Sequence, residues 1–368
     1  MIKRGNLVDR VEQHSVLTEV EAVRYSRLMR FHRIGESGLR RFRQAKVVII
    51  GCGALGAQHA ETLTRAGFGH LTLIDRDFVE YSNLQRQTLF TEADAKQALP
   101  KVIALKNHLL RINPSVEITT HLMDVASDNI ERLIAGHDLL LDGTDHLSLR
   151  LLINDACYKL AIPWIFGSAL ESYGMSYNFN IPADNKLKKK LPCLRCLSDY
   201  LPLDTQDSCS SVGVIQPILQ IISGIQTTEA MKLLIDPTAL RNTLLTIDLW
   251  PFHQQNIAIE SLKKSDCPTC GDHPSYPALN RPKRKVQKLC GEGTVMIREE
   301  NPLDLEMLKV ALDKDKISYQ YNAYFLNIHL AQHRIILFAD GRGIVYGARD
   351  EVEALGVYEG IMKHYAKL

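Results

Sequence analysis

Lys46-Val47-Val48-Ile49-Ile50-Gly51-Cys52-Gly53-Ala54-Leu55-Gly56 decides the fold of this chain. Residues 46–50 are a continuous apolar, β-branched run, as expected of a strand buried on both faces of a parallel sheet. A helix follows to about Ala66, Gly67 stops it, and His70-Leu71-Thr72-Leu73-Ile74-Asp75 reads as the next strand. This is one β-α-β unit with a glycine-rich turn before its helix. In that setting Gly51-x-Gly53-x-x-Gly56 lets a phosphate approach backbone N–H groups at a helix N-terminus, where the helix dipole favours negative charge. Asp75 ends the second strand where a carboxylate can accept hydrogen bonds from ribose hydroxyls.

The alternation extends outward from this unit. Thr18 and Glu21 form a capping-box pattern opening a helix that carries Arg24, Tyr25, Ser26 and Arg27. Pro100 starts a helix running to Arg111, residues 116–122 and 137–142 read as strands, and 147–160 as a helix. Two further strands, 162–168 and 172–181, come next, the second suited to an antiparallel extension. Strands alternating with helices predict an α/β fold with a doubly wound, mostly parallel, Rossmann-like sheet. Residues 212–234 have helical spacing interrupted by Pro217 and Gly224, which predicts a kinked or broken helix. Residues 244–250 and 256–262 then read as a strand pair. The excursion at 184–192, with Lys188, Lys189 and Lys190, is expected to be a solvated loop. A Pro- and Lys-rich stretch, 273–285, reads as a linker between a large domain, 1–272, and a small α+β domain, 286–368. The small domain is expected to hold a strand at 293–297, a helix at 303–312, three short strands with an Asp340-Gly341 turn, and a final helix from about Asp350.

Composition narrows the function. The chain has 368 residues with 44 Lys+Arg and 42 Asp+Glu, a formal net charge of +2. That balance argues against a dedicated nucleic-acid or membrane-surface binder. No apolar run approaches the roughly 20 residues of a membrane span. The N-terminus lacks the apolar core of a secretory signal, so a cytoplasmic location is expected. Disulfides are disfavoured there. The eight cysteines are Cys52, Cys157, Cys193, Cys196, Cys209, Cys267, Cys270 and Cys290. Four of them form two C-x-x-C pairs, which in a reducing compartment read first as metal ligands.

The segment beyond the second strand points away from a nicotinamide enzyme. Asp75-Arg76-Asp77-Phe78-Val79-Glu80-Tyr81-Ser82-Asn83-Leu84-Gln85-Arg86-Gln87 puts polar and cationic groups past the strand end, and Lys101 opens a later helix. Hydride transfer builds no large negative charge on phosphate, whereas nucleotidyl transfer must stabilise a departing pyrophosphate. Asp142 and Asp145, in Asp142-Gly143-Thr144-Asp145-His146, add carboxylates at another central strand end. Magnesium takes one or two carboxylates plus phosphate oxygens and water, so Asp145 is the magnesium candidate. Asp142 serves equally as a strand terminus, a helix cap or a direct ligand, and His146 reads as a capping or packing residue.

The sequence resembles the ThiF/MoeB/HesA adenylyltransferases, bacterial relatives of ubiquitin-activating enzymes. Arg24-Tyr25-Ser26-Arg27, residues 47–56, 71–77, Ser82-Asn83-Leu84-Gln85-Arg86-Gln87, Pro100-Lys101, Arg111-Ile112-Asn113-Pro114 and 142–145 carry the resemblance, which covers roughly 21–271. It implies that the C-terminal glycine of a ubiquitin-like sulfur-carrier protein with a diglycine tail attacks the α-phosphate of ATP, releasing pyrophosphate, for thiamine or molybdopterin synthesis. By the same resemblance the turn Gly51, Gly53, Ala54 and Gly56 is joined at the nucleotide by Asp77 and Ser82. Asp75 binds ribose, Asn83, Arg86 and Lys101 contact phosphates, and Asp145 organises magnesium. Arg27 reaches the ATP of the other subunit of a homodimer. Ala54, Leu28, His146 and Ala98-Leu99 depart from common family residues.

Cys193, Cys196, Cys267 and Cys270 can supply four thiolates to a tetrahedral structural zinc. The resemblance strengthens that reading, because zinc-containing members place two such pairs around the same segment. A redox role is the rival, but neither pair has the strand-to-helix setting of a thioredoxin site. Cys209 lies in a polar stretch near a helix N-terminus, where a thiolate is favoured, and matches a position where relatives carry a cysteine that can bond to the carrier or to sulfur. Cys52, Cys157 and Cys290 read as packing residues. An NAD-dependent oxidoreductase and a non-catalytic scaffold remain alternatives. The tRNA-modifying dehydratases of the same superfamily generally lack the paired C-x-x-C.

Overall fold

A computed structural model describes residues 17–181, 191–201, 212–281, 285–288, 293–299 and 301–365. The chain divides into two compact units, Met1–Arg281 and Pro282–Leu368.

The sheet of the first unit contains β1 (Lys46–Ile50), β2 (His70–Asp75), β3 (Glu117–Leu122), β4 (Leu139–Asp142), β5 (Trp164–Leu170), β6 (Tyr173–Phe179), β7 (Leu244–Asp248) and β8 (His253–Ile257). Their order in space is β3-β2-β1-β4-β5-β6-β7-β8. The strands from β3 to β5 pair in parallel, and β6, β7 and β8 extend the sheet antiparallel. The helices are α1 (Glu19–Arg24), α2 (Ser26–Met29), α3 (Gly35–Gln44), α4 (Ala54–Ala66), α5 (Glu92–Lys96), α6 (Lys101–Ile112), α7 (Ile130–Ile134), α8 (Leu147–Lys159), α9 (Leu194–Leu197) and α10 (Gln216–Ile235).

The expected α/β architecture is present, and β1 shows why its sequence is apolar throughout. Val47 and Ile49 join a core with Leu63 of α4, Leu105 of α6 and Leu233 of α10. Val48 and Ile50 join a second core with Ile134 of α7 and Ile153 of α8. Alternate side chains thus enter two cores, one on each face of the sheet.

Three local expectations need correction. The helix opened by the capping box at Thr18 is two short helices, interrupted at Tyr25 (φ −98°, ψ 7°). The ring of Tyr25 is buried against Gly67, and its hydroxyl accepts from Asn113 Nδ2 at 2.8 Å, so packing overrides helical continuation. Next, α10 is one continuous helix. Pro217 lies in its first turn, where a missing N–H removes no intrahelical bond, and Gly224 sits on its exposed side. Finally, the second strand of the late hairpin is β8, earlier than 256–262, because a tight connection after Asp248 already pairs with His253.

The second unit is an antiparallel sheet of β9 (Val286–Lys288), β10 (Thr294–Ile297), β11 (Tyr319–Tyr321), β12 (Phe325–His329), β13 (Arg334–Phe338) and β14 (Gly343–Tyr346), in the order β11-β12-β13-β14-β10-β9. Helices α11 (Leu305–Lys314) and α12 (Glu351–Tyr365) share its core, with Leu308, Leu312 and Tyr358 packed among Val295, Leu326 and Leu337. Four strands, not three, separate the helices. The short β9 and β11 at the sheet edges carry too little apolar patterning to be read from sequence.

Thermal unfolding should separate two glycines. A Cβ on Gly56 would lie 1.8 Å from Gly51 O, backbone that cannot yield, whereas nothing lies within 4 Å of a Cβ on Gly224. Gly56→Ala is expected to destabilise by at least about 3 kcal/mol, and Gly224→Ala to stabilise by about 0.5–1 kcal/mol. Equal midpoints for the two variants would contradict the packing described.

Candidate functional site

Strand order reverses beside β1: β2 and β3 lie on one side, β4 and β5 on the other. An open α/β sheet takes its ligand at the carboxyl ends of its strands at such a switch point. Here two turns interlock. Gly51 (φ +84°) is so close to the loop after β4 that a Cβ would meet Gly143 O at 2.6 Å, and a Cβ on Gly143 would meet Gly51 O at 2.3 Å. Gly53 has a different setting. It is the N-cap residue of α4, with no capping side chain, and its nearest neighbour would be Gln87 Nε2 at 3.6 Å. Ala54 begins α4 and packs beside Leu55.

Asp75 ties the glycine turn to the loop after β2. Its Oδ2 accepts from the Cys52 N–H at 2.6 Å and its Oδ1 from the Asp77 N–H at 2.8 Å. Burial pushes this carboxyl up, against the pull of Lys101. Lys101, the first residue of α6, reaches Asp77 Oδ2 at 3.1 Å and is only 6% exposed. Burial opposes its charge, but Asp77, Asp75 and Asp145 together raise the ammonium above the ordinary lysine range. Asp77 is likewise opposed by burial and held below the usual carboxylate range by Lys101 and Arg76. Arg76 is in turn paired with Asp124 at 2.6 Å. The crevice therefore carries a protonated lysine among three carboxylates, a fixed charge arrangement beside a helix N-terminus.

The 82–87 segment folds on itself as a short turn. Asn83 is buried and its Oδ1 accepts from the Glu80 N–H at 3.1 Å. Ser82 offers its carbonyl to Arg86 Nη1 at 2.9 Å, which holds the guanidinium at the surface. Gln87, which sequence reasoning did not single out, is buried beside Gly53, and its Oε1 has no partner among the described residues.

The two carboxylates after β4 have different settings. Asp142 is fully buried and accepts from Arg150 Nε at 3.0 Å, from Thr144 N–H at 2.9 Å and from Thr144 Oγ1 at 2.7 Å. Burial pushes its carboxyl up, and Arg150 opposes that shift. Of the roles open to it, the structural one accounts for all of these contacts. Asp145 stands exposed, with His146 Nε2 at 3.6 Å. Arg150 also donates to the carbonyls of Thr144 and Gly167, so it fixes the loop that presents Asp145. The signal for Arg150 was a single charged residue within the largely apolar first turns of α8, Leu147-Ser148-Leu149-Arg150-Leu151-Leu152.

Arg27 lies exposed on α2, and no side-chain hydrogen bond or ion pair holds it among the described residues. Its neighbours in the motif have structural partners: Arg24 Nη1 donates to Ile112 O at 2.8 Å, and Tyr25 meets Asn113. Cys209 and Cys290 lie outside the described residues. Cys52 and Cys157 are buried, and burial pushes both thiols up.

Cys193, Cys196, Cys267 and Cys270 converge as one buried cluster, their sulfurs all within 4.8 Å of one another. Cys193 Sγ is 3.6 Å from Cys267 Sγ and 4.0 Å from Cys196 Sγ, and Cys196 Sγ is 3.5 Å from Cys270 Sγ. Thiolates around one zinc at about 2.3 Å stand roughly 3.8 Å apart, so the donor set fits a tetrahedral thiophilic ion. None of the four is in a disulfide.

One titration is expected below the site. His59 of α4 is fully buried, bonded through Nε2 to Gln226 Oε1 at 2.9 Å, and burial holds its pKa near 4, below the ordinary 6.5. The folded state thus binds fewer protons than the unfolded state between those values. Stability is full above pH 6.5 and falls as pH drops toward 4, by at most on the order of 3 kcal/mol. Urea unfolding at pH 7 and pH 5 should show a loss in the native protein that is reduced in His59→Gln; equal losses would contradict it.

The chain matches the ThiF family over residues 25–269. It is 38% identical over 339 residues to the sulfur carrier protein ThiS adenylyltransferase of Bacillus subtilis (strain 168), covering 91% of this chain and 98% of that one. A match of that length extends into the second unit. The molybdopterin-synthase adenylyltransferase of Salmonella typhimurium is 37% identical over 59% of this chain and 84% of its own. Adenylyltransferase and sulfurtransferase MOCS3 of Culex quinquefasciatus is 34% identical over 72% of this chain, which spans 58% of that longer protein. Among solved structures, Escherichia coli MccB with ATP superposes with a TM-score of 0.56 at 21% identity, covering 68% of this chain and 75% of its own, a likeness of fold. Among the described residues no helix is long and apolar enough to cross a membrane.

Proposed function

The chain belongs to the ThiF family, and on that premise we propose that it adenylylates the C-terminal glycine of a ubiquitin-like sulfur-carrier protein with ATP. The observation that carries this reading is the arrangement at the switch point, where Lys101 pairs with Asp77 at 3.1 Å and Asp75 ties the loop after β2 to the glycine turn. The curated relatives are named for this activity.

The reaction joins a carboxylate to a phosphate, two anions that repel. The α4 N-terminus and glycine turn receive phosphate oxygens through backbone N–H groups. Asp75, whose oxygens retain lone pairs beyond the two backbone bonds they accept, takes the ribose hydroxyls. Lys101, Asn83 and Arg86 neutralise charge on the phosphates, and Arg86 exchanges the Ser82 carbonyl for phosphate to do so. Gln87 adds an amide beside Gly53. A carrier carboxylate oxygen then bonds to the α-phosphorus as the bond to the β-phosphate oxygen breaks, releasing pyrophosphate and leaving the acyl-adenylate. Charge on the departing pyrophosphate is what these cations stabilise. Magnesium supplies further charge neutralisation on phosphate, and the exposed Asp145 suits a hard cation that keeps several waters. Arg27, free on α2, is placed to serve the nucleotide of a second copy in a homodimer. The cysteine cluster holds zinc, which contributes folding energy. The protein acts in the cytoplasm, where these thiols stay reduced.

The test is exchange of labelled pyrophosphate into ATP. It should occur only when a diglycine-tailed carrier is present, and NAD should neither bind nor compete. Competition by NAD with no carrier-dependent exchange would favour an oxidoreductase.

A further inference from the structure

The two cysteine turns are held together by a residue that touches neither sulfur pair. Asp155 of α8 is fully buried. Its Oδ2 accepts from Arg195 Nη2 at 3.0 Å and from the Ala278 N–H at 2.7 Å, and its Oδ1 accepts from Thr269 Oγ1. Arg195 Nε closes the figure by donating to Thr269 Oγ1 at 2.9 Å. Arg195 and Thr269 occupy the same place in the two turns, each immediately before the second cysteine of Cys193-Leu194-Arg195-Cys196 and Cys267-Pro268-Thr269-Cys270. The neighbouring Asn154 contributes as well, accepting from the Leu194 N–H at 3.0 Å.

We infer that Asp155, through Arg195 and Thr269, is a positioning residue that sets the separation of the two cysteine pairs and so tunes how tightly the cluster holds its ion. The inference rests on the zinc reading above. Four thiolates close together repel one another, and each turn belongs to a separate stretch of chain. A carboxylate bonded to both turns keeps the sulfurs at ligand spacing without coordinating. Partners of this kind typically change metal affinity 10–100-fold when removed. The arrangement also gives α8 two tasks, since Arg150 near its start braces the loop carrying Asp145 and Asp155 near its end braces the cysteine cluster.

The experiment uses the full-length protein with zinc bound and follows transfer of zinc to a chromophoric chelator well below the unfolding temperature. Asp155→Asn should weaken zinc retention about 10–100-fold, and Thr269→Val, which removes one arm and nearly preserves volume, about 10-fold. Thr269→Ser, which restores the hydroxyl, should retain zinc as the native protein does. If Asp155→Asn does not fold, the threonine pair carries the test alone. Unfolding of the zinc-free proteins separates positioning from bulk stability: Thr269→Val should lower the midpoint of the zinc-bound protein by more than that of the zinc-free one. Native-like zinc retention in both Asp155→Asn and Thr269→Val overturns the inference, as does a loss matched by an equal drop in zinc-free stability. Native protein that retains no zinc in elemental analysis overturns the metal reading itself.

Discussion

Asp145→Ala should leave a folded protein with carrier-dependent pyrophosphate exchange reduced by at least about 100-fold, and by about 1,000-fold or more if its carboxylate holds the cation on the phosphates. The side chain is 58% exposed and its ion-pair partner among the described residues is His146 at 3.6 Å, so its removal leaves no buried group unpaired. That is why activity and stability should separate at this position. Lys101→Met should also abolish exchange, but with a second cost. Asp77, half exposed, loses its ammonium partner at 3.1 Å and keeps Arg76 at 3.7 Å. Losing one partner of a half-exposed carboxylate costs on the order of 1 kcal/mol, so the Lys101 variant should lower the unfolding midpoint modestly while the Asp145 variant does not. Exchange rates and thermal midpoints on the same samples check both statements. Native exchange by Asp145→Ala would remove that residue from the site.

Loss of the cysteines proposed to hold zinc should have the largest effect on stability. Cys193 and Cys196 are fully buried and Cys267 and Cys270 nearly so, and the segments bearing the two pairs are far apart in the chain. Binding of a structural zinc contributes its free energy to folding because the unfolded chain offers no such site. Cys193→Ser, or removal of the ion with a strong chelator, should therefore lower the unfolding free energy by several kcal/mol. Denaturant titration with and without added zinc provides the measurement. The native protein should regain its midpoint when zinc is restored and Cys193→Ser should not. A midpoint insensitive to chelation would contradict a structural ion.

The parts of this molecule that were legible in sequence are those in which the determining contacts are local. The run 46–56 contains a buried strand, its turn and the start of its helix in one continuous stretch, and Asp75 lies at the end of the next strand. The paired C-x-x-C spacing is local twice over, even though the pairs are distant. Bracing contacts were not legible. Asp155 meets Arg195 40 residues away and Thr269 114 residues away, and Gln226 reaches His59 across 167. Nothing in the flanking sequence of Asp155 distinguishes it from an ordinary helix carboxylate.

Some residues of the motif segments have structural roles that pattern alone does not reveal. Tyr25 and Asn113, in two segments that resemble family motifs, bond to each other, and Arg24 caps the end of α6 at Ile112. Asp142 is buried with Arg150, while its near neighbour Asp145 faces solvent. Two carboxylates three positions apart thus divide into one that builds the loop and one that the loop presents. The continuous α10 makes the same point about backbone. Pro217 predicts a break in a helix interior, yet costs nothing in a first turn.

The most direct test of the central claim is the mass of the carrier. The full-length protein is incubated with ATP, magnesium and a purified diglycine-tailed sulfur carrier, quenched in acid, and the carrier is weighed by mass spectrometry. The account predicts a carrier heavier by one adenylyl group, attached at its C-terminal carboxylate and absent when the terminal glycine is deleted or when Asp145→Ala replaces the native enzyme. An unmodified carrier, with native enzyme that is folded, zinc-loaded and ATP-bound, would contradict it.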